Sequence, residues 1–167
     1  MTQAFKIAYI GLGSNLGNRA EHIHNAVQAL NCKNIQICAV SNLYETNPVE
    51  VTEQQPKYLN AVIRISTDFS MTDLHQLTMT IEQSMGRLNK GQRQPRTIDL
   101  DILLYDTDTF FSDTLEIPHP RMTQRQFVLV PLRDVLTTGW PSYFPDINQL
   151  CESFEDSVEV IETEIEL

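Results

Sequence analysis

Asp99 and Asp101 stand two residues apart in the run Pro95-Arg-Thr-Ile-Asp-Leu-Asp-Ile-Leu-Leu104. Strict alternation predicts a strand with Ile98, Leu100, Ile102 and Leu104 on one face and Thr97, Asp99, Asp101 and Leu103 on the other. At roughly 3.3 Å per residue, the two carboxylates leave that face about 6.6 Å apart at Cβ. Aspartate is a poor strand former and neighbouring anions repel, so the pair calls for positive charge between its members. Two Mg²⁺ ions roughly 3.5–4 Å apart, the spacing of two-metal phosphoryl sites, would supply it. A lone Asp-x-Asp is more often two solvated carboxylates on the wet face of an edge strand.

Other residues in the chain bear on that choice. Half of the twelve Lys and Arg residues lie between Arg87 and Arg125, on both sides of the Asp pair. A cationic patch around paired carboxylates is what a metal-nucleotide site needs, although a mixed solvated surface explains the charge pattern as well. Ile117-Pro118-His119-Pro120 is a rigid corner presenting a histidine, with Arg121, Arg125 and Phe127 close behind. Tyr58 and Asn60 alternate onto one face of a strand, where an aromatic ring and an amide could stack and read a flat heterocycle. A half-buried Tyr beside a surface Asn is the commoner explanation of such a pair. Glu82, off the apolar stripe of its helix, reads by itself as a solvated carboxylate.

The elements that must carry these residues follow from periodicity. Phe5–Leu12 is an apolar strand ending in the turn-forming run 13–18, and Ile23, Ala26, Val27 and Leu30 then mark a helix over 19–31. The turn lacks both the Gly-x-Gly-x-x-Gly pattern and the Lys-Ser/Thr of a phosphate-binding loop. Ile35–Thr46 is a second strand, Asn47–Lys57 a loop holding Pro48 and Pro56, and Tyr58–Thr67 a third strand with Leu59, Ala61, Ile63 and Ile65 inward. Ser70 caps a helix whose stripe is Leu74, Leu77, Thr78, Ile81, Met85 and Leu88. Residues 88–94 form a polar lid before the Asp strand, which runs to Tyr105 and turns into Thr109–Phe111. Trp140, Tyr143 and Phe144 close the core. The order predicts an α+β fold: a ferredoxin-like core sheet with helices packed on it, extra strands and helices after the core, three α-β-α layers in all.

A chain of 167 residues with 41% hydrophobic and 20% charged content is most simply one domain, placed at 1–150 with an acidic extension over 151–167. The net charge of −10 argues against nucleic acid, yet seven of its acids fall after Cys151, and removing them leaves −3. No run reaches the ~20 apolar residues of a membrane span, and the N-terminus lacks the pattern of a signal peptide. Cys32, Cys38 and Cys151 have neither a disulfide framework's number nor a zinc site's spacing, so a reducing cytoplasm is the expected location. The acidic end reads as a surface helix or frayed tail.

Five segments, taken in order, resemble 6-hydroxymethyl-7,8-dihydropterin pyrophosphokinases of the folate pathway. They are Tyr9-Ile-Gly-Leu-Gly-Ser-Asn-Leu16, Tyr58-Leu-Asn60, Glu82 with Gly86-Arg87, Pro95–Leu103, and Ile117-Pro-His-Pro120 with Arg125 and Phe127. The resemblance implies transfer of pyrophosphate from ATP to the pterin hydroxymethyl group with release of AMP. It implies two Mg²⁺ ions on Asp99 and Asp101, with Arg87 and Arg96 also catalytic. Glu82, Arg87, Lys90, Arg96, Ile102, His119 and Arg125 would contact ATP. Thr46, Asn47, Val49, Tyr58, Asn60 and Phe127 would hold the pterin, the two aromatics sandwiching its ring. A monomer without nucleic-acid or membrane partners is also implied. In two places the sequence departs from the family pattern: Gln94 meets Pro95 directly, and Asn89 stands where relatives often have Arg.

Two other readings keep part of the evidence. A palm-type nucleotidyl transferase or cyclase would share the two-metal strand but release pyrophosphate. A ferredoxin-like RNA-binding module would need surface aromatics in a basic field and has no use for an Asp pair.

Overall fold

The computed structural model describes residues 4–49, 54–87, 94–154 and 158–161. β1 (Lys6–Ser14) runs two residues past the expected Leu12, because Gly13 and Ser14 continue to pair with Asn60 and Leu59 of β4 (Tyr58–Thr67). α1 (Arg19–Leu30) begins where Asn18 accepts from the Glu21 N–H at 3.3 Å and donates to the Glu21 carboxylate at 2.9 Å. The cap satisfies one orphan N–H of the first turn, and the expected Ile23, Ala26, Val27, Leu30 stripe is buried.

The strand expected over Ile35–Thr46 is two strands, β2 (Ile35–Val40) and β3 (Leu43–Thr46). Both pair with β4, β2 along its C-terminal half and β3 along its start. Ser41 makes the break. Its N–H donates to the Val62 carbonyl and its Oγ accepts the Val62 N–H, both at 2.9 Å, so a side chain stands in for one ladder acceptor.

α2 (Met71–Ser84) starts at Ser70, whose Oγ accepts the Asp73 N–H at 3.1 Å. It ends in a left-handed turn at Gly86, φ +92°, with Gly86 N–H donating to the Gln83 carbonyl and Arg87 N–H to the Glu82 carbonyl. Only glycine adopts that φ at little cost, and the reversal returns Arg87 beside Glu82.

β5 (Asp99–Tyr105) lies at the sheet edge against β1, with Gly13 opposite Asp99 and Gly11 opposite Asp101. Further along, Ile10 faces Ile102 but Tyr9 faces Leu104, so Leu103 is an extra, bulged residue. The bulge resets the alternation. Leu104 therefore joins Leu103 in the second core and does not continue the Leu100, Ile102 face as expected.

The chain continues through β6 (Phe110–Phe111), β7 (Glu116–Ile117), a 3₁₀ turn at Met122–Gln124, α3 (Gln126–Val135), α4 (Ile147–Glu152) and β8 (Val158–Ile161). The main sheet runs β5-β1-β4-β3-β8, with β2 also on β4, which is ferredoxin-like with an added edge strand. α1 and α2 cover one face around Ile10, Ile63 and Leu100, and α3 and α4 cover the other around Tyr9, Val62 and Leu132. The expected three layers are present.

Two expectations fail at the C-terminal end. Trp140 and Phe144 pack on the second core, but Tyr143 is 66% exposed and closes nothing. The tail does not remain a surface helix or frayed end throughout, since Val158–Ile161 pairs along β3 from Thr46 to Leu43. α4 runs across residue 150 and buries Cys151. Among the described residues no helix is long and apolar enough to cross a membrane.

Candidate active site

The sheet face turned toward α3 opens at one end into a cavity of about 400 Å³. Three strands lay out its floor in cross-strand rows. Asn60 of β4 and Asp99 of β5 both stand opposite Gly13 of β1, and Val62 and Asp101 both stand opposite Gly11. Adjacent strands lie about 4.8 Å apart, so Asn60 and Asp99 start about 10 Å from each other on one face, with no side chain between them.

On the β4 side, Tyr58, Asn60, Thr46, Asn47 and Val49 line the cavity, and Phe127 enters from the first turn of α3. Asn60 is buried, and its Nδ2 donates to Thr46 Oγ1 at 2.8 Å. It is therefore no surface amide. Each aromatic carries a guanidinium over its ring, Arg96 above Tyr58 at 5.8 Å and Arg125 above Phe127 at 5.6 Å.

The β5 side is charged. Asp99 takes the Arg96 guanidinium at 3.0 Å and pairs with Arg87. Arg87 in turn reaches Glu82 at 2.8 Å, and the Glu82 carboxylate also accepts the Leu100 N–H at 2.7 Å. Glu82 is thus buried behind the cavity and is not the solvated helix-face residue its position suggested. Burial works against the Arg87 charge, but Asp99 and then Glu82 outweigh it and hold its pKa above the ordinary value. The Arg96 backbone is fixed by Asn15, which accepts its N–H at 2.8 Å through Oδ1. Arg96 Nε is buried and has no partner among the described residues.

His119 is placed by the bulge, because its N–H donates to the Leu103 carbonyl at 2.9 Å. Its Nδ1 accepts the Arg121 N–H at 3.2 Å, which leaves the proton of a neutral ring on Nε2. Burial holds the imidazole below its ordinary pKa. Asp101 pulls it upward, while Arg125 and Arg121 push it further down. Beyond His119 and Asp101 lies a second hollow of about 240 Å³, lined also by Ile102, His75 and the hairpin residues Ser112–Glu116.

Residues 9–137 match the family described as 7,8-dihydro-6-hydroxymethylpterin-pyrophosphokinase (HPPK). The chain belongs to this family. It is 42% identical over 130 residues to a Bacillus subtilis (strain 168) 2-amino-4-hydroxy-6-hydroxymethyldihydropteridine pyrophosphokinase, covering 77% of each chain. It is 36% identical over 150 residues to the protein of the same name from Haemophilus influenzae, covering 89% of this chain and 93% of that one. A crystal structure of Plasmodium falciparum HPPK-DHPS shares the fold, with a TM-score of 0.70 at 15% identity over 89% of this chain. The match spans only 44% of that longer chain.

Most residues expected from the HPPK resemblance meet in the main cavity: Asp99, Asp101, Arg87, Arg96, His119 and Arg125, with all six of the pterin set. Ile102 lines the second hollow instead, Glu82 lies behind the wall, and Lys90 falls outside the described residues. Gly11, Gly13 and Arg121 line the cavity without having been assigned to it. The signal for the glycines was their two-residue spacing, in phase with the Asp pair across the ladder. Arg121 carried none beyond its nearness to His119.

Proposed function

We propose that the main cavity is where this pyrophosphokinase of folate synthesis joins its two substrates, ATP on the β5 side and 6-hydroxymethyl-7,8-dihydropterin on the β4 side. The observation that carries this reading is the row Asn60–Gly13–Asp99, which puts an amide reader and a carboxylate on one open face. The pterin ring stacks between Tyr58 and Phe127, and Asn60 pairs with its amino-oxo edge. Thr46, Asn47 and Val49 close the rim. ATP phosphates displace Arg87 and Arg96 from Asp99, and Arg96 Nε, without a partner among the described residues, supplies a further donor. His119 offers Nε2–H to the same oxygens, while Arg125 adds charge. The second hollow, with Ile102, takes the nucleoside end.

Asp99 and Asp101 fit Mg²⁺, two ions by this reading. The cation binds hard oxygens, and in nucleotide sites it needs only one or two carboxylates beside phosphate and water. Among the described residues no third His, Cys, Asp or Glu joins them into a cluster, which suits that mode and not a closed structural site. When bound, Mg²⁺ neutralises charge on the phosphate oxygens. The substrate hydroxyl oxygen bonds to the β-phosphorus, the bond from that phosphorus to the bridging oxygen breaks, AMP leaves, and the hydroxyl proton passes to water. The chain's own work is to align these atoms and hold the charge that develops. Its three free thiols suit a reducing cytoplasm. We read it as a monomer there, without nucleic acid or membrane.

The test is product analysis with ATP and the reduced hydroxymethylpterin. AMP is expected from the parent chain, and neither Asp99→Ala nor Asp101→Ala should form it at a measurable rate while both keep the parent's circular dichroism. AMP formation by the variants equal to the parent's would overturn the assignment of the carboxylates. Pyrophosphate as the product would favour a nucleotidyl transferase.

A further inference from the structure

A Cβ built on Gly13 lies 3.2 Å from Asn60 Oδ1 and 3.7 Å from a Tyr58 ring carbon. The first contact is tighter than nine in ten real Cβ contacts, so Asn60 would have to give by a few tenths of an ångström. Asn60 has little freedom to yield, since it is buried and its Nδ2 is held by Thr46 at 2.8 Å. Gly11, two residues earlier on the same face, is different. A Cβ there meets only Leu103 side-chain carbons at 3.6–3.7 Å, which is ordinary van der Waals contact. Two glycines on one strand face therefore differ sharply in what they keep clear.

We propose that Gly13 is a specificity-determining residue, whose missing side chain fixes where the Asn60 carboxamide presents its oxygen to the pterin. With Nδ2 engaged by Thr46, Oδ1 is the acceptor that Asn60 can turn to a ligand. What Oδ1 meets on the amino-oxo edge is then a donor, the amino group or its neighbouring N–H. A side chain at residue 13 tilts that acceptor and narrows the gap toward Asp99, so it penalises the heterocycle and spares the nucleotide. The inference rests on the pterin reading of Asn60 given above.

The test is steady-state kinetics of G13A, N60A and the double variant G13A/N60A, with ATP and the reduced hydroxymethylpterin as substrates. A misplaced buried acceptor weakens binding by about tenfold, so G13A should raise the pterin KM by that order. Its ATP KM should stay within about twofold of the parent. Adding G13A to N60A should change the pterin KM by less than about twofold, because the contact it perturbs is already gone. The inference is overturned if G13A leaves the pterin KM unchanged, raises both KM values alike, or keeps its full effect in the N60A background. An unchanged pterin KM in N60A alone overturns the reading of Asn60 beneath it. If G13A does not fold, recovery of folding in the double variant supports the steric coupling, and failure of both to fold overturns it.

Discussion

Glu82 accepts hydrogen bonds from an arginine of the cavity wall and from the backbone of the strand that carries the Asp pair. Its value to the site lies in holding Arg87 and β5 together from behind. Replacing it with alanine takes an acceptor from the buried Leu100 N–H and leaves the Arg87 guanidinium, among the described residues, to Asp99 alone, a loss of about 1–3 kcal/mol. Denaturant unfolding of Glu82→Ala should show a loss of that order, and Glu82→Gln, which still accepts from Leu100, a smaller one. Tyr44 is a second buried residue with a measurable signature. Burial first, and then its 2.5 Å hydrogen bond to Asp134, push its hydroxyl up to about 12. Because the folded value lies above the ordinary 10, this stabilisation is fully present below pH 10 and is lost as pH rises toward 12. The stability gap between the parent and Tyr44→Phe should therefore shrink across that window in unfolding titrations. Neither partnership could be read from the sequence. Glu82 falls off an apolar stripe, and Asp134 is 90 residues from Tyr44. The Asp pair was legible because alternation within one strand fixes a shared face without knowledge of any neighbour.

Among the elements, α1, β4 and α2 follow their sequence periods closely, because caps and stripes act within a few residues. β2, β3 and β5 do not, and the reasons are specific. One hydroxyl splits a single apolar run into two strands, and one extra residue, Leu103, resets the faces of β5. Both features depend on what lies across the ladder, which local pattern does not encode. Ser41→Ala tests the first. It leaves the buried Val62 N–H without its acceptor and should cost about 1–3 kcal/mol in chemical unfolding. A cost near zero would mean that the break between β2 and β3 is set by something other than the hydroxyl. The bulge also aims His119, so the loss of alternation is tied directly to the placement of a site residue.

At the scale of the whole molecule, the ferredoxin-like order brings the two chemistries together. β1 lies between β4 and β5, so the Asn60 amide from mid-chain and a carboxylate pair some forty residues later share one face across two glycines. The order of elements announced that topology. The closeness of the two half-sites depended on strand register, which periodicity leaves open. β8 adds a different kind of information. By pairing with β3 it forms, among the described residues, the outermost row on that side of the sheet, and it does so with a segment from the most acidic part of the chain. An open row of backbone donors and acceptors is a template for another molecule's strand, and charge along an edge discourages such stacking. Ending the chain after Phe154 uncovers β3 and removes the repulsion together. The shortened protein is expected to self-associate as its concentration rises in sedimentation experiments, while the intact chain holds a constant mass. On that outcome β8 acts as a guard on colloidal stability, keeping the edge of β3 from pairing with another molecule.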